Sequence, residues 1–177
     1  VDEEVVKPSI DGLYKENINY IGFLFIGLMK VGDKPFVVEY NVRLGDPETE
    51  VVIPRIKNDL LDLLSKTCEG SISEIELEID PKYASTVMLV SGGYPESYEK
   101  GKIITGLENI KNTDDLFICH AGTKNKNDQV ITNGGRVLAV TAFDDNFHDA
   151  LQTAYKNVEN INFDKKYFRR DLGQDLV

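Results

Sequence analysis

The amino-acid sequence predicts an α+β protein in which an N-terminal segment precedes a small, mostly antiparallel α+β domain. Three observations support this prediction. Short strand-like runs recur along the chain, glycine-rich turns separate them, and an apolar stripe at helical spacing closes the pattern. The pattern changes between residues 70 and 81, so we predict two domains, residues 1–79 and residues 80–177. The first is too short to form a complete core by itself, and we expect it to be the end of a larger sheet.

Residues 1–43 predict a helix followed by a β-hairpin. The helix is expected over Pro8–Ile18, where proline suits the first turn and apolar residues recur at helical spacing. Two strand-like runs follow, Tyr20–Lys30 and Pro35–Arg43. The turn Val31–Lys34 joins them through a glycine and an aspartate, which is typical of a hairpin.

Two helices are predicted between residues 46 and 70. Asp46 is a suitable N-cap and Pro47 suits the first helical position, so a helix is expected to begin there and to be interrupted at Pro54. A second helix is expected from about Asn58 to a stop at Gly70. Its predicted apolar face consists of Leu60, Leu61 and Leu64.

Four short strands are predicted after residue 70. Residues 75–79 alternate apolar and acidic side chains, which is typical of a half-exposed strand. Further strands are predicted at Thr86–Val90, Leu116–His120 and Arg136–Thr141. The pairs Gly92-Gly93 and Gly134-Gly135 lack the spacing of a phosphate-binding loop and are interpreted as turns.

One long helix is predicted after the last of these strands. Either Asp144 or Asp145 is expected to cap it. A continuous apolar stripe defines its buried face. The stripe consists of Phe147, Ala150, Leu151, Ala154, Tyr155, Val158 and Ile161.

Composition excludes several classes of protein. A hydrophobic fraction of 41% is too high for a disordered chain, and no apolar run approaches the roughly 20 residues of a membrane span. The net charge of −10 argues against nucleic acid or an anionic membrane as partner, because phosphate binding needs clustered cations. Cys68 and Cys119 lack metal-site spacing, which favours reduced thiols in a cytoplasmic protein. The chain opens on Val1 rather than methionine, and we expect sequence upstream of it.

Residues 37–50 contain the candidate site. If residues 37–43 form a strand, then Glu39, Asn41 and Arg43 share one face, because side chains alternate. Val38, Tyr40 and Val42 then take the other face and are expected to pack towards the core. Carboxylate and amide oxygens are ligands that Mg²⁺ prefers, and a guanidinium can hold a phosphoryl group by two contacts. A helix beginning near Asp46 would direct its N-terminal dipole towards the same place. Spacing alone leaves the alternative of a solvated strand face, with Asp46 acting as a helix cap and nothing more.

Residues 39–49 read E-Y-N-V-R-L-G-D-P-E-T, which resembles the E-[FY]-N-x-R-x-G-D-P-E-T signature of the phosphoribosylamine–glycine ligases. The resemblance extends in the family's order over nearly the whole chain. It includes Tyr20–Phe25, Gly27–Met29, Pro54–Arg55, Asp59–Leu60, Gly93–Pro95, Tyr98–Gly101, His120–Thr123, Thr132–Leu138 and Arg169–Gly173.

The resemblance implies the C-terminal half of an ATP-grasp module followed by the family's C-terminal α+β domain. It implies an enzyme that uses ATP to join glycine to 5-phosphoribosylamine, through a glycyl phosphate, in purine biosynthesis. Glu39 and Asn41 then match the ligands of Mg²⁺ or Mn²⁺, and Arg43 matches the catalytic residue that holds the transferring phosphoryl group. Asp46 and Glu48 match positions facing the amine substrate.

Two features bear on this implied activity. No acidic residue occurs between Gly22 and Met29, where several other ATP-grasp enzymes place a further metal ligand, so two protein ligands are assigned. The lysine-bearing part of the ATP site and the N-terminal substrate domain are expected in the preceding part of the enzyme, and the chain alone is expected to be inactive.

Two other functions remain as alternatives. One is another ATP-grasp carboxylate–amine ligase. The related enzymes that carboxylate or formylate ribonucleotides carry a Pro-Arg-Pro-His-like run after the strand acid, whereas residues 41–46 here read N-V-R-L-G-D. The other is a non-catalytic binding or assembly module, which would have no use for a metal-binding triplet.

The remaining polar features are given structural interpretations. His120 ends an apolar strand and is interpreted as a packing or turn residue, and His148 as a solvated helix residue. The segment Tyr167–Arg170 is interpreted as a partly buried C-terminal strip whose arginines reach solvent.

Overall fold

The computed structural model describes residues 1–176 and confirms the α+β class. The chain divides into two compact units: Val1–Thr49 with Ile56–Glu78, and Glu50–Arg55 with the chain from Ile79 onward. The domain boundary after residue 79 stays a prediction. The described residues contain no helix with the length and apolar character needed to cross a membrane.

The first unit contains a short helix and a two-stranded hairpin. A π-helical turn, Asp2–Val6, leads into helix α1, Lys7–Lys15, which has a proline in its first turn as predicted. Strands β1, Phe25–Val31, and β2, Lys34–Asn41, pair antiparallel. Gly32 begins the turn between them with φ +62°, a conformation that glycine adopts without steric cost. Both strands are shorter than predicted, at the ends away from the turn.

The hairpin contains a β-bulge next to the candidate site. Gly27 pairs with Glu39, but Leu28 pairs with Val37, so Val38 has no partner in the ladder. The extra residue precedes Glu39, and regular alternation therefore holds from Glu39 to Asn41.

The predicted helix at Asp46 is wrong in both its start and its length. Residues 46–48 form a turn containing a cis Asp46–Pro47 peptide, and helix α2 spans Thr49–Val52. The carbonyl of Gly45 accepts hydrogen bonds from both the amide and the hydroxyl of Thr49, so helical bonding begins there. A 3₁₀ turn, Ile53–Arg55, follows at the predicted interruption.

Helix α3, Leu60–Glu69, has the predicted stop but a different buried face. Its N-cap Asp59 accepts a hydrogen bond from the amide of Asp62 at 3.0 Å, and Gly70 ends it with φ +75°. Leu63 is the buried residue of this helix, whereas Leu61 is 75% exposed. Leu64 is also exposed, so the predicted face was wrong at Leu61 and Leu64 and omitted Leu63.

The strand predicted over residues 75–79 is also wrong. A 3₁₀ turn, Ile72–Glu74, precedes an extended segment without a ladder. Within the first unit, the Asn58 side chain bonds to the backbone of Glu76 and Glu78, at 3.0 and 2.7 Å. Leu77 is 56% exposed, so the alternation here does not reflect a buried face.

The second unit is built on a three-stranded antiparallel sheet. Its strands are β3, Tyr83–Val90; β4, Leu116–His120; and the central strand β7, Arg136–Asp144. Every residue of β7 from Val137 to Phe143 is buried, which explains why this run is apolar apart from Thr141. Helix α4, Phe147–Asn160, contacts β3 and β7, and its residues Ala154 and Val158 join the core.

The second unit also contains a hairpin that was not predicted. Strands β5, Thr123–Lys126, and β6, Gln129–Thr132, pair antiparallel around a turn at Asn127 and Asp128, both with positive φ. Asparagine and aspartate tolerate this conformation better than other non-glycine residues. Of the glycine pairs interpreted as turns, Gly92-Gly93 lies in a turn and Gly134-Gly135 in a bend. Gly122 and Gly134 pack so closely that a Cβ on Gly122 would lie 2.6 Å from the Cα of Gly134.

Helix α4, Phe147–Asn160, is capped by Asn146 rather than by either predicted aspartate. The Asn146 side-chain oxygen accepts hydrogen bonds from the amides of His148 and Asp149, at 2.8 and 3.4 Å. At the other end, the Lys166 ammonium donates to the carbonyls of Val158 and Ile161. Burial lowers the pKa of Lys166.

The residues given structural interpretations behave accordingly. The Nδ1 atom of His120 lies 3.0 Å from the Thr123 hydroxyl across the turn after β4, and His148 is exposed on α4. In the C-terminal strip, Phe168 is buried, while the guanidinium of Arg170 covers its ring and pairs with Glu159 at 2.7 Å.

An ion cluster on the second unit joins two loops. The Lys102 ammonium lies 2.6 Å from Glu99 and 3.0 Å from Asp164, and Lys165 lies 3.3 Å from Glu99. Hydrogen bonds from the two lysines lower the pKa of Glu99 below its ordinary value of 4.5. The carboxylate form of Glu99 is therefore favoured in the folded protein.

We expect Asn146→Ala to lower the free energy of unfolding by about 1 kcal/mol, because two amides at the start of α4 lose their acceptor. Urea denaturation followed by circular dichroism measures the change. Asp145→Ala is the matched control and should have a smaller effect. Equal losses in the two variants would contradict the assignment of Asn146 as the cap.

We expect the contribution of Glu99 to stability to disappear in acid. Because its pKa is depressed by folding, the contribution is complete above the unfolded value and is lost as pH falls through the folded pKa. The difference in unfolding free energy between the wild type and Glu99→Gln should therefore shrink as pH is lowered from 6 to 3. A difference that stays constant over this range would contradict the ion cluster.

Candidate functional site

Glu39 and Asn41 lie side by side on one face of the hairpin. The Asn41 side-chain nitrogen donates a hydrogen bond to Oε1 of Glu39 at 2.8 Å. Their partners across the ladder, Gly27 and Phe25, lie on the same face. The predicted alternation is therefore confirmed for these two residues.

Arg43 does not belong to this strand face, in contrast to the prediction. β2 ends at Asn41, which pairs with the first residue of β1, and Arg43 lies in the bend that follows. Beyond this last pair no ladder keeps the chain in the strand conformation. The Arg43 guanidinium is exposed and its Nη1 donates to the carbonyl of Leu44 at 3.1 Å.

Asp46 and Glu48 lie in the turn before α2, and both are exposed. Because α2 has four residues and begins at Thr49, the predicted helix dipole at Asp46 is absent. The Glu48 side chain instead folds back over Gly45, where a Cβ would lie 2.9 Å from Cδ of Glu48.

The opposite face of β2 is more exposed than predicted. Val38, Tyr40 and Val42 were expected to pack into a core but are 64%, 51% and 73% exposed. α1 reaches this face, where the Ser9 and Tyr40 hydroxyls lie 2.7 Å apart. A helix of nine residues covers only part of the hairpin, which leaves an apolar groove of about 370 Å³ beside it.

The donor set suits a hard cation held by few protein ligands. Among the side chains that the structure describes, no three histidine, cysteine or acidic groups converge on a metal position. Glu39 and Asn41 supply one carboxylate and one amide at adjacent positions. Mg²⁺ is commonly bound by one or two carboxylates together with phosphate oxygens and water, so the pair fits a cation that is shared with a phosphorylated substrate.

Sequence reasoning missed three residues of this surface. The ring of Phe25 lies between Gly27 and Gly45, and Gly45 is buried. The signal was present, because a glycine in a strand interior marks a place where another group approaches closely. Gly27 is opposite Glu39, so the approaching group is the candidate ligand itself.

Comparison with known proteins identifies the family. The family profile described as "Phosphoribosylglycinamide synthetase, C domain" matches residues 84–175. The chain belongs to the phosphoribosylglycinamide synthetase family. A second profile of this family, described as its ATP-grasp (A) domain, matches residues 1–49, which include all five candidate site residues. The resemblance drawn from the signature is thus confirmed.

Relatives in this family are similar over almost the whole chain. A phosphoribosylamine–glycine ligase of Chlorobaculum tepidum is 43% identical over 98% of this chain and 41% of its own length. A bifunctional purine biosynthetic protein of Pichia angusta is 44% identical over 98% of this chain and 22% of its own length. The crystal structure of the Thermotoga maritima ligase matches with a TM-score of 0.80 and 36% identity, over 96% of this chain and 41% of that one. The chain thus spans about two fifths of the monofunctional relatives.

Proposed function

We propose that this chain forms the cation-binding edge of the ATP site in a phosphoribosylamine–glycine ligase. The observation that carries the proposal is the Glu39–Asn41 pair, held together at 2.8 Å on one face of β2. Family membership supports the proposal, because the profile match over residues 1–49 is to an ATP-grasp domain. We also propose that residues 1–79 belong to that ATP-grasp module and that residues 80–177 form the C-terminal domain of the ligase.

The proposed reaction has two steps. A glycine carboxylate oxygen attacks the terminal phosphorus of ATP, which forms glycyl phosphate and releases ADP. The amine of 5-phosphoribosylamine then attacks the acyl carbon, loses a proton, and displaces phosphate to give glycinamide ribonucleotide. Both steps concentrate negative charge on phosphoryl oxygens, so catalysis depends mainly on positioning and on charge compensation.

Glu39 and Asn41 would hold the divalent cation, Mg²⁺ or Mn²⁺. When bound, such a cation offsets charge on the ATP phosphates during transfer. The contribution of the chain is geometric, because strand alternation places both side chains on one face and the hydrogen bond between them fixes their relative positions. Preorganised ligands lose less conformational entropy on binding.

Arg43 is the proposed catalytic cation. Its contact with the Leu44 carbonyl uses Nη1, and a guanidinium carries five N–H donors in total. The bend places Arg43 two residues after Asn41, at the end of the cation-binding strand. We propose that it donates to the transferring phosphoryl group and to glycyl phosphate.

Asp46 and Glu48 are proposed to face the amine substrate. Both carboxylates are exposed in the turn that follows Arg43. Carboxylates accept hydrogen bonds from an amine and favour the positive charge that develops on nitrogen during its attack.

The free thiols of Cys68 and Cys119 support a cytoplasmic location for the enzyme.

In the full-length enzyme that contains this chain, we expect Glu39→Gln to lower kcat/KM roughly 100-fold or more at fixed magnesium, because loss of a cation contact commonly costs several kcal/mol in phosphoryl transfer. Steady-state assays across a magnesium titration measure the effect. Glu76→Gln, on an exposed glutamate of the same unit, is the control and should retain activity. Wild-type turnover of the Glu39→Gln enzyme at every magnesium concentration would exclude Glu39 as a ligand.

We expect the 177-residue chain alone to form no glycinamide ribonucleotide from ATP, glycine and phosphoribosylamine. The proposed site uses one edge of a nucleotide pocket, and the relatives are more than twice as long as this chain. Turnover assays on the purified chain and on the full-length enzyme test this together. Measurable ATP-dependent product from the chain alone would show that residues 1–177 contain a complete site.

A further inference from the structure

Phe25 lies beside the two glycines that border Glu39 and Glu48. Its ring is half-buried at the start of β1, on the face that also carries Glu39. One edge of the ring, Cε1, lies 3.7 Å from where a Cβ would be at Gly27. The other edge, Cε2, lies 3.0 Å from where a Cβ would be at Gly45. A single aromatic ring therefore contacts both glycine positions.

Gly27 provides the space in which Glu39 lies. A Cβ at this position would lie 3.0 Å from Cγ of Glu39, a tight contact that would displace the Glu39 side chain by a few tenths of an ångström. Gly27 has no positive φ, so its backbone is open to any residue. Glycine is favoured at this position because the Glu39 side chain lies over the backbone of β1 there.

Gly45 has the same relation to Glu48. A Cβ there would lie 2.9 Å from Cδ of Glu48 and closer still to its carboxylate oxygen Oε2. Gly45 also has no positive φ. Both carboxylates thus fold over a glycine that borders the same ring.

We propose that Gly27, Phe25 and Gly45 are positioning residues that determine where the carboxylates of Glu39 and Glu48 lie. Gly27 controls Glu39 and thereby the affinity for the cation–nucleotide complex. Gly45 controls Glu48 and thereby the use of the amine substrate. The ring of Phe25 lies between Gly27 and Gly45 and packs against both. The inference rests on the proposed functions of Glu39 and Glu48.

The test uses alanine substitutions in the full-length enzyme. Because alanine fits the backbone at both positions, the variants are expected to fold, and thermal denaturation verifies this. Gly12→Ala is the matched control, because a Cβ at Gly12 has no neighbour within 4 Å. Binding is measured by calorimetric titration with the manganese complex of a non-hydrolysable ATP analogue, and catalysis by separate kcat and KM values.

Gly27→Ala should weaken binding of the manganese complex about 10-fold or more, the usual effect of disturbing a group that orients a metal ligand. Gly45→Ala should leave this binding within about twofold and raise KM for phosphoribosylamine roughly 10-fold, since a displaced contact misplaces the substrate. Phe25→Leu should affect both quantities, and Gly12→Ala neither.

Three results would overturn the inference, and the first two have different meanings. If Glu39→Gln weakens binding and Gly27→Ala does not, then Gly27 has no positioning role and the proposed function is unaffected. If Glu39→Gln also leaves binding unchanged, the cation-binding role of Glu39 fails and the inference fails with it. Should either glycine variant not fold, Phe25→Leu decides, because unchanged binding and unchanged KM in that variant contradict the proposal.

Discussion

The antiparallel ladder between β1 and β2 determines where the candidate site residues lie. It pairs Glu39 with Gly27 and Asn41 with Phe25, and alternation then places all four on one side. The hydrogen bond between the Asn41 amide and the Glu39 carboxylate forms within this arrangement. Even the position of Arg43 follows from the ladder, because the chain leaves the strand conformation where the pairing stops. The chemistry proposed for this surface therefore depends on a two-stranded pairing more than on the folded core of the second unit.

Much of the fold could be predicted because the signals were local. The limits of β4 and the stop of α3 at Gly70 follow from residue type and spacing alone. The errors arose where contacts with other parts of the chain determine the local structure. Asn146 caps α4 although two aspartates precede it, because only its side chain meets the free amides. Residues 75–79 alternate like a strand, but the Asn58 side chain binds their backbone at Glu76 and Glu78, and no ladder forms along the segment.

The site was predictable to the extent that it depends on alternation. Predicting the positions of Glu39 and Asn41 required only that residues 39–41 form a strand, because alternation then places the two side chains next to each other on one face. The placement of Arg43 required the strand end, which is set by the length of β1 and not by the sequence around Arg43. The roles of Gly27 and Gly45 required the path of a neighbouring side chain. Such close approaches are properties of tertiary structure, and a glycine in a strand signals them without naming the partner.

The bulge at Val38 has a consequence for how the hairpin can vary among related proteins. It separates β2 into a tip segment, residues 34–37, and a site segment, residues 39–41, each with its own register against β1. An insertion in the turn lengthens the loop without reversing the side on which Glu39 lies. An insertion on the other side of the bulge, between Glu39 and Asn41, would turn one of the pair to the opposite face. The hairpin therefore combines a tip that tolerates changes in length with a three-residue segment that does not.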